Sequence, residues 1–163
     1  IQDFTTLTIP ELIAETDAIA RETQTTFGNL NAAQLNWKPA PDSWSVAQCL
    51  DHLLTANSQM FPVMEATASG TRKASFLESL PVLPGLMGKF IVKAVSPQAK
   101  HKVKAPTKIQ PSTSALDAQI VTRFVDQQRE VAVQLKRLTM VEADRIVMTS
   151  PLYEYCTLLG ISG

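Results

Sequence analysis

Apolar residues recur at helical spacing along three long stretches of this chain. These stretches cover residues 8–28, 45–70 and 114–138, and each begins at a Ser or Thr with an acidic or amide residue three positions later. That pairing is typical of a helix N-terminus, so the pattern predicts three long amphipathic helices. A shorter helical turn is predicted at residues 31–35. Pro62 should bend the second long helix or remove one of its hydrogen bonds.

The stretch between the second and third long helices, residues 71–111, has no sustained period and contains several prolines. Within it, residues 86–95 could form a short amphipathic helix, and residues 100–104 alternate like a strand or an extended arm. Connections this long tend to be functional or mobile. We therefore interpret residues 71–111 as a long basic, proline-rich connection rather than as a separate domain.

A further helix start is predicted at Ser150–Pro151, and the helix would include Leu158 and Leu159. Three long helices bury their apolar faces more naturally in a four-helix bundle than alone. The expected fold class is therefore all-α, a four-helix bundle built as one domain over residues 1–163. Because little sequence follows the last helix start, we expect the fourth helix to be missing or truncated in this chain.

Composition limits the classes of protein that fit. The chain has 163 residues, 45% of them apolar, and 15 basic side chains against 15 acidic ones. This balance excludes wholesale disorder, and no stretch approaches the ~20 apolar residues that span a bilayer. No secretory signal is visible at the N-terminus, and two widely spaced cysteines suit a reducing compartment. We expect a cytoplasmic protein without stable membrane insertion.

The balanced total hides a basic segment. Six lysines and no acidic residue lie between Glu78 and Asp117, from Lys89 to Lys108. Such a segment could contact an anionic partner or a membrane surface, or could simply be a solvated loop. It contains no arginine and one aromatic residue, Phe90, whereas nucleic-acid binding usually combines arginine and stacking rings with charge. Nucleic acid is therefore not an expected partner.

Candidate chemistry is sparse. His52 lies three residues after Cys49 on the second long helix, so both side chains share one face and could reach one ion. A zinc site needs three or four protein ligands, so this pair alone does not specify one. His101, among the lysines, is expected to be solvated. Trp37 and Trp44 flank a proline-rich turn, where they either cover one end of the core or form the wall of a ligand pocket.

The same region carries a family resemblance. The run from Leu35 to Leu53 contains Trp-x-Pro, a short spacer, Trp-Ser, and a His seven residues after that Ser. In this order and spacing it resembles the DinB-like superfamily. The matching positions are Trp37, Pro39, Trp44, Ser45 and His52.

The resemblance implies an up-down-down-up four-helix bundle, often dimeric, that holds zinc or nickel through three histidines. It makes His52 the first ligand, while the two histidines expected on the fourth helix have no counterpart here, because no His follows His101. Characterised relatives include transferases and isomerases that use small thiols, in which the metal makes the thiol nucleophilic. The implied activity is a metal-dependent thiol transferase or a hydrolase that acts on a small molecule.

Three accounts of the missing ligands stay open. Either the sequence stops short of the ligand helix, or a partner chain supplies a helix by swapping, or the bundle is metal-free and binds something apolar. We favour the first, because a bundle without its fourth helix would expose apolar surface worth roughly 25 cal/mol per Å². The rival to an enzyme is a non-catalytic binding or dimerisation module without metal.

Overall fold

The structure, a computed structural model, describes residues 7–71, 105–139, 147–149 and 157–160. Helices make up most of this part of the chain, which confirms the predicted all-α class, and two short strands pair antiparallel. The elements are α1 (Ile9–Phe27), α2 (Ala32–Asn36), α3 (Val46–Ala68), a 3-10 turn η1 (Thr107–Ile109), α4 (Gln119–Leu138), β1 (Val147–Thr149) and β2 (Thr157–Gly160).

The ends of α1 and α3 lie where local chemistry predicts them. At the start of α1, the backbone N–H and the hydroxyl of Thr8 both donate to the Glu11 carboxylate at 2.7 Å. At the start of α3, the Ser45 hydroxyl accepts from the Gln48 backbone N–H at 3.2 Å. After α3, Gly70 adopts a φ of 68°, a left-handed conformation that glycine takes without strain and that commonly ends a helix. These three signals mark the start of α1 and both ends of α3 to within two residues.

Pro62 lies inside α3 without ending it. The helix continues for six residues beyond this proline, to Ala68. A proline removes one backbone donor from the helix ladder. The apolar packing of the surrounding turns offsets that loss, since Met64 is buried against α1 and α4 in the core.

The start of α4 differs from the sequence prediction. Ser114 was expected to cap this helix, but α4 begins at Gln119 and its cap position, Ala118, makes no side-chain hydrogen bond. The reason is a contact 80 residues away in sequence. The Asn36 side chain donates to the Leu116 carbonyl at 2.6 Å and accepts from the Leu116 N–H at 3.0 Å. Both backbone groups of Leu116 are thereby engaged outside a helix, so the helix starts later.

The predicted helix after Ser150–Pro151 is also wrong where it can be checked. Residues 150–156 lie outside the described part, but Thr157–Gly160, which the prediction placed in that helix, forms β2. It pairs with Val147–Thr149, where Val and Thr favour extended backbone. The apolar pattern after Ser150–Pro151, which includes the adjacent Leu158 and Leu159, was too short to outweigh this pairing.

Helix α4 is the centre of the packing, because α1 and α3 both lie along it. The buried apolar side chains form two clusters, one at each end of the helices. The first joins the start of α1 to the ends of α3 and α4, and the second joins α2 and the starts of α3 and α4 and is covered by the end of α1. Their buried members are Ile9, Met64, Leu135 and Leu138 in the first cluster, and Leu35, Ala47, Leu50, Ile120, Val121 and Phe124 in the second.

These clusters fix the helix directions. Helix α1 runs opposite to α3 and α4, and α3 and α4 run the same way, which agrees with the first three helices of an up-down-down-up bundle. At ~1.5 Å per residue, α3 is roughly 34 Å long. A chain that leaves the end of α3 must travel back that distance before α4 begins. The long connection over residues 71–111 follows from this geometry.

Most of that connection lies outside the described residues. The predicted helix at 86–95, the extended arm at 100–104 and His101 all fall there. No helix within the described ranges has both the length and the apolar character needed to cross a bilayer.

Candidate functional site

His52 is half-buried on the second turn of α3 and is held by the backbone of η1. Its Nδ1 lies 2.6 Å from the carbonyl oxygen of Ile109. A carbonyl oxygen only accepts hydrogen bonds, so Nδ1 must carry the proton. In the neutral ring, Nε2 then holds a free lone pair, which is the form that binds a metal or accepts a proton.

The indole of Trp44 packs against the same imidazole. The two ring centroids are 5.0 Å apart and the planes are tilted by 49°. Aromatic pairs at this distance restrict each other's orientation. His52 is thus held by a hydrogen bond in its plane and by a ring beside it.

Trp44 also lines an open apolar groove of about 530 Å³. The groove runs between α1 and α3, and Phe124 of α4 contributes to its lining. Trp37 and Trp44 are 68% and 40% exposed there, which is high for side chains of this size. The full lining is Ile19, Thr23, Phe27, Trp37, Pro39, Trp44, Val46, Cys49, Leu50, Leu53 and Phe124. Both tryptophans therefore stand on a pocket wall, and a ligand role for them stays a prediction.

Cys49 faces this groove, and its thiol is partly desolvated by the apolar surroundings. The desolvation raises the pKa of Cys49, so the thiol is protonated at neutral pH and weakly nucleophilic. Within the described residues, no group of three or more His, Cys, Asp or Glu side chains could hold a metal ion. Cys49 and His52 therefore form no complete metal site with other described residues.

Two neighbours of His52 have roles that sequence reasoning missed. The Gln48 amide donates to the Ser112 carbonyl at 2.9 Å, and the Asp51 carboxylate accepts from the Ser112 N–H at 2.8 Å. In the sequence, Gln48 stands out only as the amide three residues after Ser45, which is a capping position, and a carboxylate such as Asp51 on a helix usually lies on the solvated face. The only signal in the sequence was their position beside His52, since nothing local shows which distant backbone they contact.

Three other carboxylates on the long helices lie on exposed faces. Glu22, Glu65 and Asp126 are all exposed, and Asp126 pairs with Arg129 at 2.6 Å. Of the basic segment, Lys108 is described and is exposed, while the other lysines lie outside the described residues. These positions add no chemistry to the site around His52.

Comparison with known proteins agrees with this geometry at the level of the family. The family model described as the DinB superfamily matches residues 15–158, which is most of the chain. Searches of curated proteins and of solved structures gave no match. The matched region includes the Trp-x-Pro turn, Trp44 and His52, together with all of α3 and α4. The chain therefore belongs to the DinB superfamily.

Proposed function

We propose that this protein is a divalent-metal-dependent enzyme of the thiol transferase or hydrolase class, with His52 as one metal ligand. The observation that carries the proposal is the hydrogen bond from Nδ1 of His52 to the Ile109 carbonyl. Histidines that bind metals almost always donate their other ring N–H to a carbonyl, carboxylate or water, which fixes the tautomer and the ring orientation. His52 has that arrangement.

Among the described residues, the proposal assigns only one metal ligand, the imidazole of His52. The described residues form no group of three or more ligands that includes His52, so in this proposal the set is completed from outside the described part of the chain. Zinc and nickel both accept imidazole nitrogen. A bound ion of this kind would lower the pKa of a thiol or a water, which is the chemistry that both reaction classes need.

The groove beside Trp44 supports a small-molecule substrate. Its walls are almost entirely apolar, so it would bind the apolar part of a substrate and exclude water from it. His52 does not itself line the groove, but Trp44 contacts both, so a molecule bound there would touch the indole that packs against the imidazole. From the resemblance to the superfamily, the proposal also includes a low-molecular-weight thiol as co-substrate, a cytoplasmic location and a homodimer.

A second candidate function is a non-catalytic binding or dimerisation module. It is favoured by the exposure of Ile19, Trp37 and Leu53 around one groove, since large exposed apolar patches often mark interaction sites. This candidate predicts a protein that binds no metal and whose oligomeric state changes when a charge is placed in the groove, as in Leu53→Glu. Analytical ultracentrifugation of that variant measures this directly.

Metal content of three purified proteins distinguishes the two candidates. In His52→Asn, the amide nitrogen takes the place of Nδ1 and can still donate to Ile109, but no atom replaces Nε2. The enzyme proposal predicts that His52→Asn loses bound zinc or nickel while the parent protein and the matched control His101→Ala keep it. Equal metal in all three would exclude His52 as a ligand, and a metal-free parent would favour the module.

A further inference from the structure

Three side chains on one face of α3 hold the backbone that leads into α4. Gln48 donates to the Ser112 carbonyl, Asp51 accepts from the Ser112 N–H, and His52 donates to the Ile109 carbonyl. We call Gln48, Asp51 and His52 the clamp. Gln48 and Asp51 satisfy both polar groups of a single residue, so Ser112 is fixed in position and in orientation.

The segment between the two clamped points is stiff. Pro111 separates Ser112 from Gln110, whose φ of −64° and ψ of 138° have the extended form that a following proline imposes. Ile109 closes the 3-10 turn by donating to the Pro106 carbonyl at 3.0 Å, and its own side chain is only 5% exposed. A displacement of Ser112 is therefore transmitted to the Ile109 carbonyl rather than absorbed between them.

We infer that Gln48 and Asp51 are positioning residues for His52, which act by holding Ser112 so that the Ile109 carbonyl selects the Nδ1–H tautomer. Neither residue needs to touch a metal or a substrate. Their effect is to keep Nε2 unprotonated and aimed in one direction. The functional meaning of this inference rests on the proposed role of His52, whereas the effect on the tautomer does not.

The amide of Gln48 is fixed at both ends, which provides a selective variant. Its oxygen accepts from the Ser45 N–H at 3.2 Å, while its nitrogen donates to Ser112. Gln48→Glu keeps the acceptor for Ser45 but places a carboxylate oxygen against the Ser112 carbonyl. The matched control is Gln34→Glu, because Gln34 accepts from the Asn31 N–H at the start of α2 in the same way and contacts no distant backbone.

The tautomer is read by two-bond proton–nitrogen correlation spectra of the imidazole at about pH 8, where an ordinary histidine is neutral. A His101→Ala background leaves His52 as the one histidine signal. We expect a dominant Nδ1–H pattern in this background and in Gln34→Glu. In Gln48→Glu and Asp51→Ala we expect that pattern to be lost to a mixture with the Nε2–H form.

Asp51→Asn separates positioning from general destabilisation, because an amide oxygen can still accept from Ser112. We expect it to restore the Nδ1–H pattern that Asp51→Ala loses. If Asp51→Ala does not fold, Gln48→Glu carries the test alone. An unchanged Nδ1–H pattern in a folded Gln48→Glu protein would overturn the inference.

Zinc titration by calorimetry separates this inference from the proposed function. If both are right, Gln48→Glu weakens zinc binding by about 10-fold or more, as loss of an outer partner of a metal-bound histidine usually does, and Gln34→Glu leaves it unchanged. If the tautomer shifts but the parent protein binds no zinc, the positioning role stands and the metal role of His52 fails. If the parent protein binds zinc but the tautomer is unchanged in Gln48→Glu, the metal role of His52 stands and the positioning role of Gln48 and Asp51 fails.

Discussion

Replacing Leu35 with alanine tests whether the small helix α2 is part of the core. Leu35 is 0% exposed and packs in the cluster formed by the starts of α3 and α4. The substitution removes three buried carbons, worth about 2.4 kcal/mol of transfer free energy. The cavity left behind should bring the loss in the free energy of unfolding to about 3–4 kcal/mol.

The matched control is Leu53→Ala, the same substitution in the open groove. Leu53 is 42% exposed, so the transfer loss falls to about 1 kcal/mol and no closed cavity forms. Urea unfolding followed by far-UV circular dichroism measures both. With a slope of about 2 kcal/mol per M, the midpoints should fall by about 1.5–2 M for Leu35→Ala and about 0.5 M for Leu53→Ala. Equal losses, or a larger loss at Leu53, would show that the groove is filled and would refute this reasoning.

Three further outcomes follow from individual side chains. The hydrogen bonds from Thr8 lower the pKa of Glu11, so the ionised carboxylate stabilises the folded protein above about pH 4.5. In urea melts, the protein should therefore be more stable than Glu11→Gln above that pH, and the difference should disappear as the pH falls further. The raised pKa of Cys49 predicts that its alkylation by iodoacetamide, measured in a Cys156→Ser background, has a higher pH midpoint than that of an unstructured cysteine peptide; an equal or lower midpoint would contradict the desolvation argument. The Gln134 Oε1 is buried without a hydrogen-bond partner in the described structure, while its Nε2 donates to the Glu130 carboxylate at 2.7 Å. Gln134→Met removes both the unpartnered oxygen and this bond, so it should change the free energy of unfolding by at most about 1 kcal/mol; a larger loss would contradict the unpartnered oxygen.

The sequence predicted α1 and α3 well because the signals that define them are local. The capping pairs at Thr8 and Ser45 and the glycine after α3 act within one turn of the helix they bound. The same local logic failed at Ser114, since a capping pattern was present there but the chain is held by Asn36, 80 residues away. No pattern within a window of ordinary length records such a contact.

The candidate site likewise combines residues that local sequence identified with contacts that it could not. His52 was found through its motif, and Trp37 and Trp44 through their position around the proline-rich turn. What could not be predicted was what surrounds them. The Ile109 carbonyl that orients His52 is 57 residues distant in sequence, and it is a backbone group, so no residue type marks it.

Asn36 makes hydrogen bonds to the backbone of Leu116, and Gln48 and Asp51 make hydrogen bonds to the backbone of Ser112. None of these bonds involves the side chain of Leu116 or Ser112. Every amino acid except proline offers the same N–H and C=O. The exposed residues 113–115 should therefore tolerate wide substitution in a randomised library, with proline excluded at 112, 114 and 116, where an N–H donates. Position 116 should also keep an apolar side chain, because Leu116 packs against the second core cluster. Asn36, Gln48 and Asp51, whose side chains bind this backbone, should tolerate almost no substitution.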